Sequence, residues 1–400
     1  MNSAQSKEEL PTLRWGIIGT GLIATWFVTD LTLPRPFPTA IHKISAIGSS
    51  SLSKARDFAS KCIPFTCESP TCYGSYDEVY NSPAVDIIYI ATPHAFHLQN
   101  CLSAIAAGKH VLCEKPLALN AKQARQIIAA ARFKGVFVME GMWTRFFPLV
   151  RTLQKLLHEE KRIGDVRRVF CDFGLDMPLS SLPETSRLKD VSLGAGSLLD
   201  IGIYSLTWGL MALEPPLDYG HHNQIVNGRK FVEEEGERKK PPQVYSAQTL
   251  EHNVDVASSM ILFYPESGRQ GILTSSLMHK TDDKFFRIEG TMGTVLVSGD
   301  TASMPSAITI RMKAAGAGKD LGDKKAEVDG GGASEEMTLT FEETNGGKGF
   351  YYEADAVAVD ISNGRLESEI MPLGESLRVL EIMDQVRKGG GAKFPQDDQL

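Results

Sequence analysis

A glycine turn set between a short apolar strand and a helix leaves this chain few folds to choose from. Arg14 to Ile18 reads as the strand, Gly19-Thr20-Gly21 as the turn, and Leu22 to Asp30 as the helix. With Ile23 and Ala24 the turn spells G-x-G-x-x-A. The first glycine permits the sharp reversal, the second lets a pyrophosphate approach the backbone, and the small sixth residue lets helix and strand pack closely. The amides at the helix start then form an anion site. Gly19, Thr20, Gly21, Leu22 and Ile23 are therefore candidate dinucleotide contacts. A tight turn with no ligand would carry the same spelling, so the surroundings decide.

The strand–helix alternation continues with a strand at Ile41–Gly48, a helix at Leu52–Lys61 and an apolar run at Val85–Ala91. A helix follows at Ala95–Ala107, a strand at His110–Cys113, a helix at Ala121–Phe133 and a strand at Val136–Met139. Repeats of this kind build a parallel sheet with helices on both faces. The expectation is an α/β fold: a polar tail at 1–12, then a doubly wound Rossmann domain at 13–148. After Pro148 come a helix at Leu149–Glu160, a strand at Val166–Phe173 and an apolar helix at Ser197–Leu213. Several strand candidates then follow in succession from Val244 to Val297. That succession predicts an α+β domain over 149–390 with a large, mostly antiparallel open sheet, and a tail at 391–400. The last helices, Tyr352–Asn363 and Gly374–Arg387, are expected on the first domain or the sheet edge. His221–Pro242 and Lys313–Glu336, charged or glycine-rich, read as insertions needing no fixed structure.

Composition removes several partner classes. Lys and Arg total 42 against 49 Asp and Glu, a net charge of −7, which argues against nucleic acid or an anionic membrane. The apolar 197–213 stretch carries Asp200, so it reads as a buried helix and not a membrane span. The N-terminal MNSAQSKEELPT has no apolar core segment, which points to the cytoplasm. Cysteines at 62, 67, 72, 101, 113 and 171 read as reduced thiols. The first three are spaced too widely for a usual zinc site and lack a nearby fourth ligand, so no metal is expected.

The second strand refines the cofactor. An NAD site usually places Asp or Glu there to hold the ribose diol. This chain has Gly48-Ser49-Ser50-Ser51, with Lys54 and Arg56 one turn later. Hydroxyls and cations without a carboxylate suit a 2′-phosphate, which favours NADP over NAD. The serines also suit a helix cap, and both roles can coexist.

Four further motifs carry a resemblance. They are Ala91-Thr92-Pro93-His94 with His97, Glu114-Lys115-Pro116, Met142-Trp143-Thr144-Arg145-Phe146-Phe147-Pro148, and Gly194-Ala195-Gly196-Ser197-Leu198-Leu199-Asp200-Ile201-Gly202-Ile203-Tyr204. In this order, after the G-x-G-x-x-A turn, the chain resembles the glucose–fructose oxidoreductase/inositol dehydrogenase (Gfo/Idh/MocA) family over residues 13 to 300. The most similar branch holds fungal NADP-dependent D-xylose 1-dehydrogenases and animal dimeric dihydrodiol dehydrogenases.

The resemblance implies that Lys115 is catalytic at the nicotinamide and that Tyr204 is the proton donor or acceptor, where many relatives carry His. It places Thr92, Pro93, His97 and Glu114 at the cofactor, and Trp143 and Arg145 at the substrate pocket. Spacing adds an independent point: Asp200 and Tyr204 stand four apart, on one face of a helix, and Asp200 is taken as a substrate ligand. A free tyrosine titrates near 10, roughly, and a neighbouring ammonium would stabilise its phenolate. Other readings stay open: Tyr204 as core, Glu114 as base, Asp200 as partner of Lys115, Arg145 in a salt bridge. Relatives often have three glycines where this chain has Gly194-Ala195-Gly196.

The implied activity is hydride transfer between a cyclic polyol or an aldopyranose such as D-xylose and NADP, in a homodimer. Its alternatives are a trans-dihydrodiol dehydrogenase, a biosynthetic carbonyl reductase, or a dinucleotide-sensing regulator without turnover.

Overall fold

A computed structural model describes residues 9–215, 223–226, 229–232, 240–313, 336–341 and 346–397. The chain divides into two units. One takes in the described residues within 1–146, 219–238 and 343–381; the other takes in those within 147–218, 239–342 and 382–400.

The first unit is built on β1 (Thr12–Ile18), α1 (Leu22–Thr32), β2 (Ile41–Gly48), α2 (Leu52–Cys62), β3 (Thr71–Tyr73) and α3 (Tyr76–Tyr80). It continues with β4 (Ile87–Ile90), α4 (His97–Ala106), β5 (His110–Glu114), α5 (Ala121–Lys134) and β6 (Val138–Gly141). The strands form one parallel sheet in the order β3-β2-β1-β4-β5-β6. Chain direction across the sheet reverses between β1 and β4, the place where open α/β sheets bind ligands. β4 and β6 are buried at every position, as strands covered on both faces must be. β3 and α3, of three and five residues, are too short to show a hydrophobic period.

The second unit begins with α6 (Pro148–Gln154), which runs into a π turn at Lys155–Glu159, and β7 (Val166–Gly174). The apolar helix expected over 197–213 is α-helical only as α7 (Ile203–Leu213), because Leu198–Gly202 forms another π turn. The stretch Val191–Leu213 is long enough to cross a membrane, and its most apolar 18-residue window is buried inside the protein. β8 (Asn223–Val226) and β9 (Arg229–Val232) pair antiparallel in a segment that clusters with the first unit. The 221–242 insertion therefore holds a two-stranded sheet, contrary to expectation; its other residues up to 239 lie outside the described ones. Of 313–336, only Lys313 and Glu336 are described.

β10 (Gln243–Glu251), β11 (Val254–Tyr264), β12 (Arg269–Ser276), β13 (Phe286–Gly290), β14 (Gly293–Thr301), β15 (Met304–Met312) and β16 (Glu336–Thr340) complete the second sheet. Its order is β10-β11-β12-β7-β13-β14-β15-β16, antiparallel throughout except where β12 meets β7. α7 packs on β7 and β12. Gly209 makes that approach possible, since a Cβ there would stand 2.7 Å from Leu273 Cδ1. Burial alternates residue by residue along β12 and β14, the mark of a sheet covered on one face.

α8 (Phe350–Ser362) and the start of α9 (Leu373–Gly390) return to the first unit. The carboxylate of Asp30, on α1, accepts the amides of Lys348, Gly349 and Phe350 at 2.9, 2.6 and 2.8 Å, capping α8 from outside its own chain segment. Burial pushes Asp30 up and those amides pull it back. Asp355 takes both guanidinium nitrogens of Arg35 at 2.8 Å and His42 Nε2 at 2.8 Å. Those partners hold its carboxyl far below the usual range against the opposing effect of burial. In the tail expected at 391–400, Phe394 is buried and Asp397 pairs with Arg387 at 2.6 Å.

Candidate active site

The first unit gathers its motif residues at one edge: Gly19, Ser49, Thr92, Lys115 and Trp143 each follow the C-terminal end of a strand of the parallel sheet. Gly19 adopts φ +88, and a Cβ there would stand 2.6 Å from the carbonyl oxygen of Ala91. Only glycine fits both the angle and the approach. Gly21 differs. Its φ is an ordinary −88°, and a Cβ there would meet nothing within 4 Å. No side chain caps α1 and no acid stands in its first turn, so its leading amides, beside Thr20, Leu22 and Ile23, meet no side-chain acceptor. That cradle fits a pyrophosphate.

The serines divide their labour. Ser51 caps α2 by accepting the Lys54 amide at 3.3 Å. Ser49 bonds Thr20 across the turn at 3.0 Å, and Lys54 Nζ donates to Ser50 at 3.1 Å on the exposed rim. The cap and the candidate 2′-phosphate contact thus fall on different residues.

At β4 the Thr92 hydroxyl accepts from Asn100 Nδ2 at 2.9 Å, and Asn100 accepts from the Tyr80 hydroxyl at 3.1 Å. His97 is fully buried, with Nε2 2.8 Å from the Thr92 carbonyl and Nδ1 2.8 Å from that of Pro116. Both ring nitrogens are thereby engaged in tying the loop after β4 to the loop after β5, with Pro93 at the start of that link. His97 holds the candidate cofactor loops together from behind.

Lys115 is 9% exposed and joins Pro116 through a cis peptide. Glu114, buried beside it, accepts the Tyr89 hydroxyl, and burial raises its carboxyl to about 7 despite that bond and the Lys115 charge. Glu140, on β6, accepts the Leu117 amide at 2.8 Å; burial raises it too, while Arg145 and Lys115 pull it back. Arg145 lies 3.6 Å from Glu375, and its charge also acts on Glu140. Trp143 stacks on Phe350 of α8, their centroids 4.3 Å apart, and Phe350 meets Phe27 edge-on. Phe27 in turn stacks on Tyr89 at 3.7 Å. Glu353, on α8, is buried with both carboxyl oxygens unpartnered, and burial and then the Glu114 charge push its carboxyl up.

In the second unit Tyr204 is 4% exposed, near the start of α7, and its ring packs edge-on against Phe173 at 5.5 Å. Asp200 lies in the π turn and pairs with Arg187 at 2.9 Å. Reading Asp200 and Tyr204 as one α-helical face therefore needs correction, because the π turn has a wider repeat than an α-helix. Sequence reading missed Asn100, Glu140, Phe350 and Glu353, which belong to no motif. Among the described residues no group of three His, Cys, Asp or Glu is placed to hold a metal, and all six cysteines are free.

Comparison with known proteins covers nearly the whole chain. The family model described as "Oxidoreductase family, NAD-binding Rossmann fold" matches residues 13–142, and the Gfo/Idh/MocA C-terminal domain model matches 150–296. The trans-1,2-dihydrobenzene-1,2-diol dehydrogenase of Sus scrofa is 34% identical over 387 residues, covering 96% of this chain and 99% of that one. The D-xylose 1-dehydrogenase (NADP(+)) of Hypocrea jecorina is 30% identical over 398 residues, covering 96% and 94%. Among solved structures, a 3-ketoreductase from Actinomadura kijaniata in complex with NADP superposes with a TM-score of 0.71 at 22% identity, covering 95% of this chain and 98% of that one. Levoglucosan dehydrogenase with NADH and levoglucosan gives 0.73 at 17% identity, covering 95% and 97%. At such identities the structural likeness is one of fold.

Proposed function

The chain belongs to the Gfo/Idh/MocA oxidoreductase family, and on that footing we propose that it is an NADP-dependent dehydrogenase of an aldopyranose or cyclic polyol. The first-choice substrate is a D-xylose-like sugar oxidised at its anomeric hydroxyl to the lactone. The observation that carries the reading is the shared edge of the parallel sheet, where the uncapped turn at Gly21 and Lys115 follow β1 and β5, two strands apart in the order β1-β4-β5.

Gly19, Thr20, Gly21, Leu22 and Ile23 would hold the pyrophosphate, with Thr92, Pro93 and Glu114 along the loops that His97 ties. Ser50 and Lys54 would meet the 2′-phosphate, and Ser49 and Ser51 set the backbone there. When bound, the nicotinamide accepts or supplies the hydride. Tyr204 takes the proton of the substrate hydroxyl in the oxidative direction, and the ammonium of Lys115 favours the phenolate that makes it a base. Trp143 and Asp200 bound the substrate in this reading. The same reading gives a cytoplasmic homodimer.

A trans-dihydrodiol is the second candidate, favoured by the name of the Sus scrofa relative. The test is the appearance of reduced nicotinamide when the protein meets NADP⁺ or NAD⁺ with aldoses, inositols and trans-dihydrodiols. Turnover with NADP⁺ and pentopyranoses is the expected result, and turnover confined to the dihydrodiols selects the second candidate. NADPH binding without turnover on any of them points to a regulator, and no binding removes the dinucleotide reading.

A further inference from the structure

A buried carboxyl stands at the root of the Tyr204 helix, outside every motif. Asp255, the second residue of β11, is 1% exposed. Its Oδ2 accepts the Leu198 amide at 2.7 Å, the Ser197 hydroxyl at 2.9 Å and the Ser258 hydroxyl at 3.0 Å. Its Oδ1 has no hydrogen-bond partner and abuts Gly196, where a Cβ would collide with it. Gly196 itself adopts φ +131, which other residues rarely reach. Ser197 also meets Ser275 Oγ at 3.2 Å, and Ser205 donates to the Thr274 carbonyl at 2.8 Å.

Burying a carboxyl is costly, and a site with only a packing need would be filled better by an apolar side chain. What Asp255 holds is one particular stretch of backbone. Ser197 and Leu198 open the π turn that ends at Gly202, two residues before Tyr204. A π turn accommodates one residue more than an α turn, so every side chain beyond it is rotated by roughly 100°. The direction of the phenol thus depends on where that turn is pinned. Burial pushes the Asp255 carboxyl up, and the Leu198 amide and the two hydroxyls pull it back.

We propose that Asp255 is a positioning residue for Tyr204, fixing through Ser197 and Leu198 the direction in which the π turn presents the phenol. This rests on Tyr204 being the proton-transfer group. The test compares wild type, Asp255→Asn and Ser197→Ala by amide hydrogen exchange and by steady-state kinetics with NADP⁺ and the substrate found active above. In Asp255→Asn the amides of 198–204 exchange about tenfold faster or more, while those of β4 and β5 are unchanged. Its kcat falls about 10- to 100-fold with KM for NADP⁺ unaltered, and the pH limb due to Tyr204 moves. Ser197→Ala shows the same pattern more weakly, and decides the matter if Asp255→Asn does not fold. Unchanged exchange, or faster exchange with wild-type kcat and pH profile, overturns the proposal. Full activity in Tyr204→Phe overturns the reading of Tyr204 beneath it; a disabled Tyr204→Phe, with Asp255→Asn and Ser197→Ala both matching the wild type, overturns this inference alone.

Discussion

The two sheets bury their strands in opposite ways. β4 and β6 of the parallel sheet are buried at all positions, whereas β12 and β14 of the second sheet alternate. A strand covered on both faces has no side chain left over for chemistry, so the first unit's candidates gather where strands end. A strand covered on one face serves as a platform, and the second unit's candidate, Tyr204, comes from the helix laid on it. In the proposed reading one unit offers backbone amides and charge, and the other an aromatic hydroxyl aimed by the seating of its helix.

The sharpest way to break that division is to remove one side chain from each unit. Lys115→Met and Tyr204→Phe are each expected to lower kcat by about 10²- to 10⁴-fold, with NADPH still bound in fluorescence titrations. Full activity in either variant removes it from the mechanism.

A pH signature belongs to the first unit. Burial raises Glu114 to about 7, above the roughly 4.3 of an exposed glutamic acid. The folded unit then keeps a proton that the unfolded chain releases, so stability falls as pH climbs from about 4.3 to 7. The full swing is on the order of 4 kcal/mol. Thermal melts between those limits should decline less steeply for Glu114→Gln than for wild type, and equal slopes would contradict the burial argument.

Glycines give the next effect, on stability. Gly19→Ala meets both a positive φ and a backbone oxygen, and Gly209→Ala meets the methyls of Leu273. Each should cost about 1–3 kcal/mol. Their consequences differ by unit: Gly19→Ala abolishes NADPH binding and Gly209→Ala leaves it intact. Gly21→Ala, with open space around its Cβ, should melt like wild type yet bind NADPH poorly; tight binding would mean that the cradle holds no phosphate. The smallest effect is at Ser50. A carboxylate there should weaken NADPH by roughly 1 kcal/mol and spare NADH, and equal affinities for the wild type would remove the 2′-phosphate assignment.

The parallel sheet was legible because its apolar runs and glycine turns are local signals. Ser49, Thr92, Lys115 and Trp143 could be placed at strand ends from motif order alone. The π turns were not legible. One extra residue in a helical turn leaves the apolar pattern of 197–213 intact, so Asp200 and Tyr204 looked like neighbours on a regular helix. The distant partners left no trace either, since nothing near Asp30 or Arg35 announces that residues 348–355 will cap and pair with them. Arg145 has the residue type of a substrate ligand; only the fold shows Glu375 opposite it.

The stitching of α8 to α1 has a consequence for how the chain is born. Asp30, Phe27 and Arg35 acquire their partners from residues that leave the ribosome about 300 positions later, on the order of 15 to 60 s at bacterial or eukaryotic synthesis speeds. Until then the inner face of α1 keeps a carboxylate and an aromatic ring without the amides and ring they meet in the finished protein. The dinucleotide turn is written by residue 24, but the helix that supports it is made only about 300 residues later. A nascent chain released before α8 therefore holds the motif without its support.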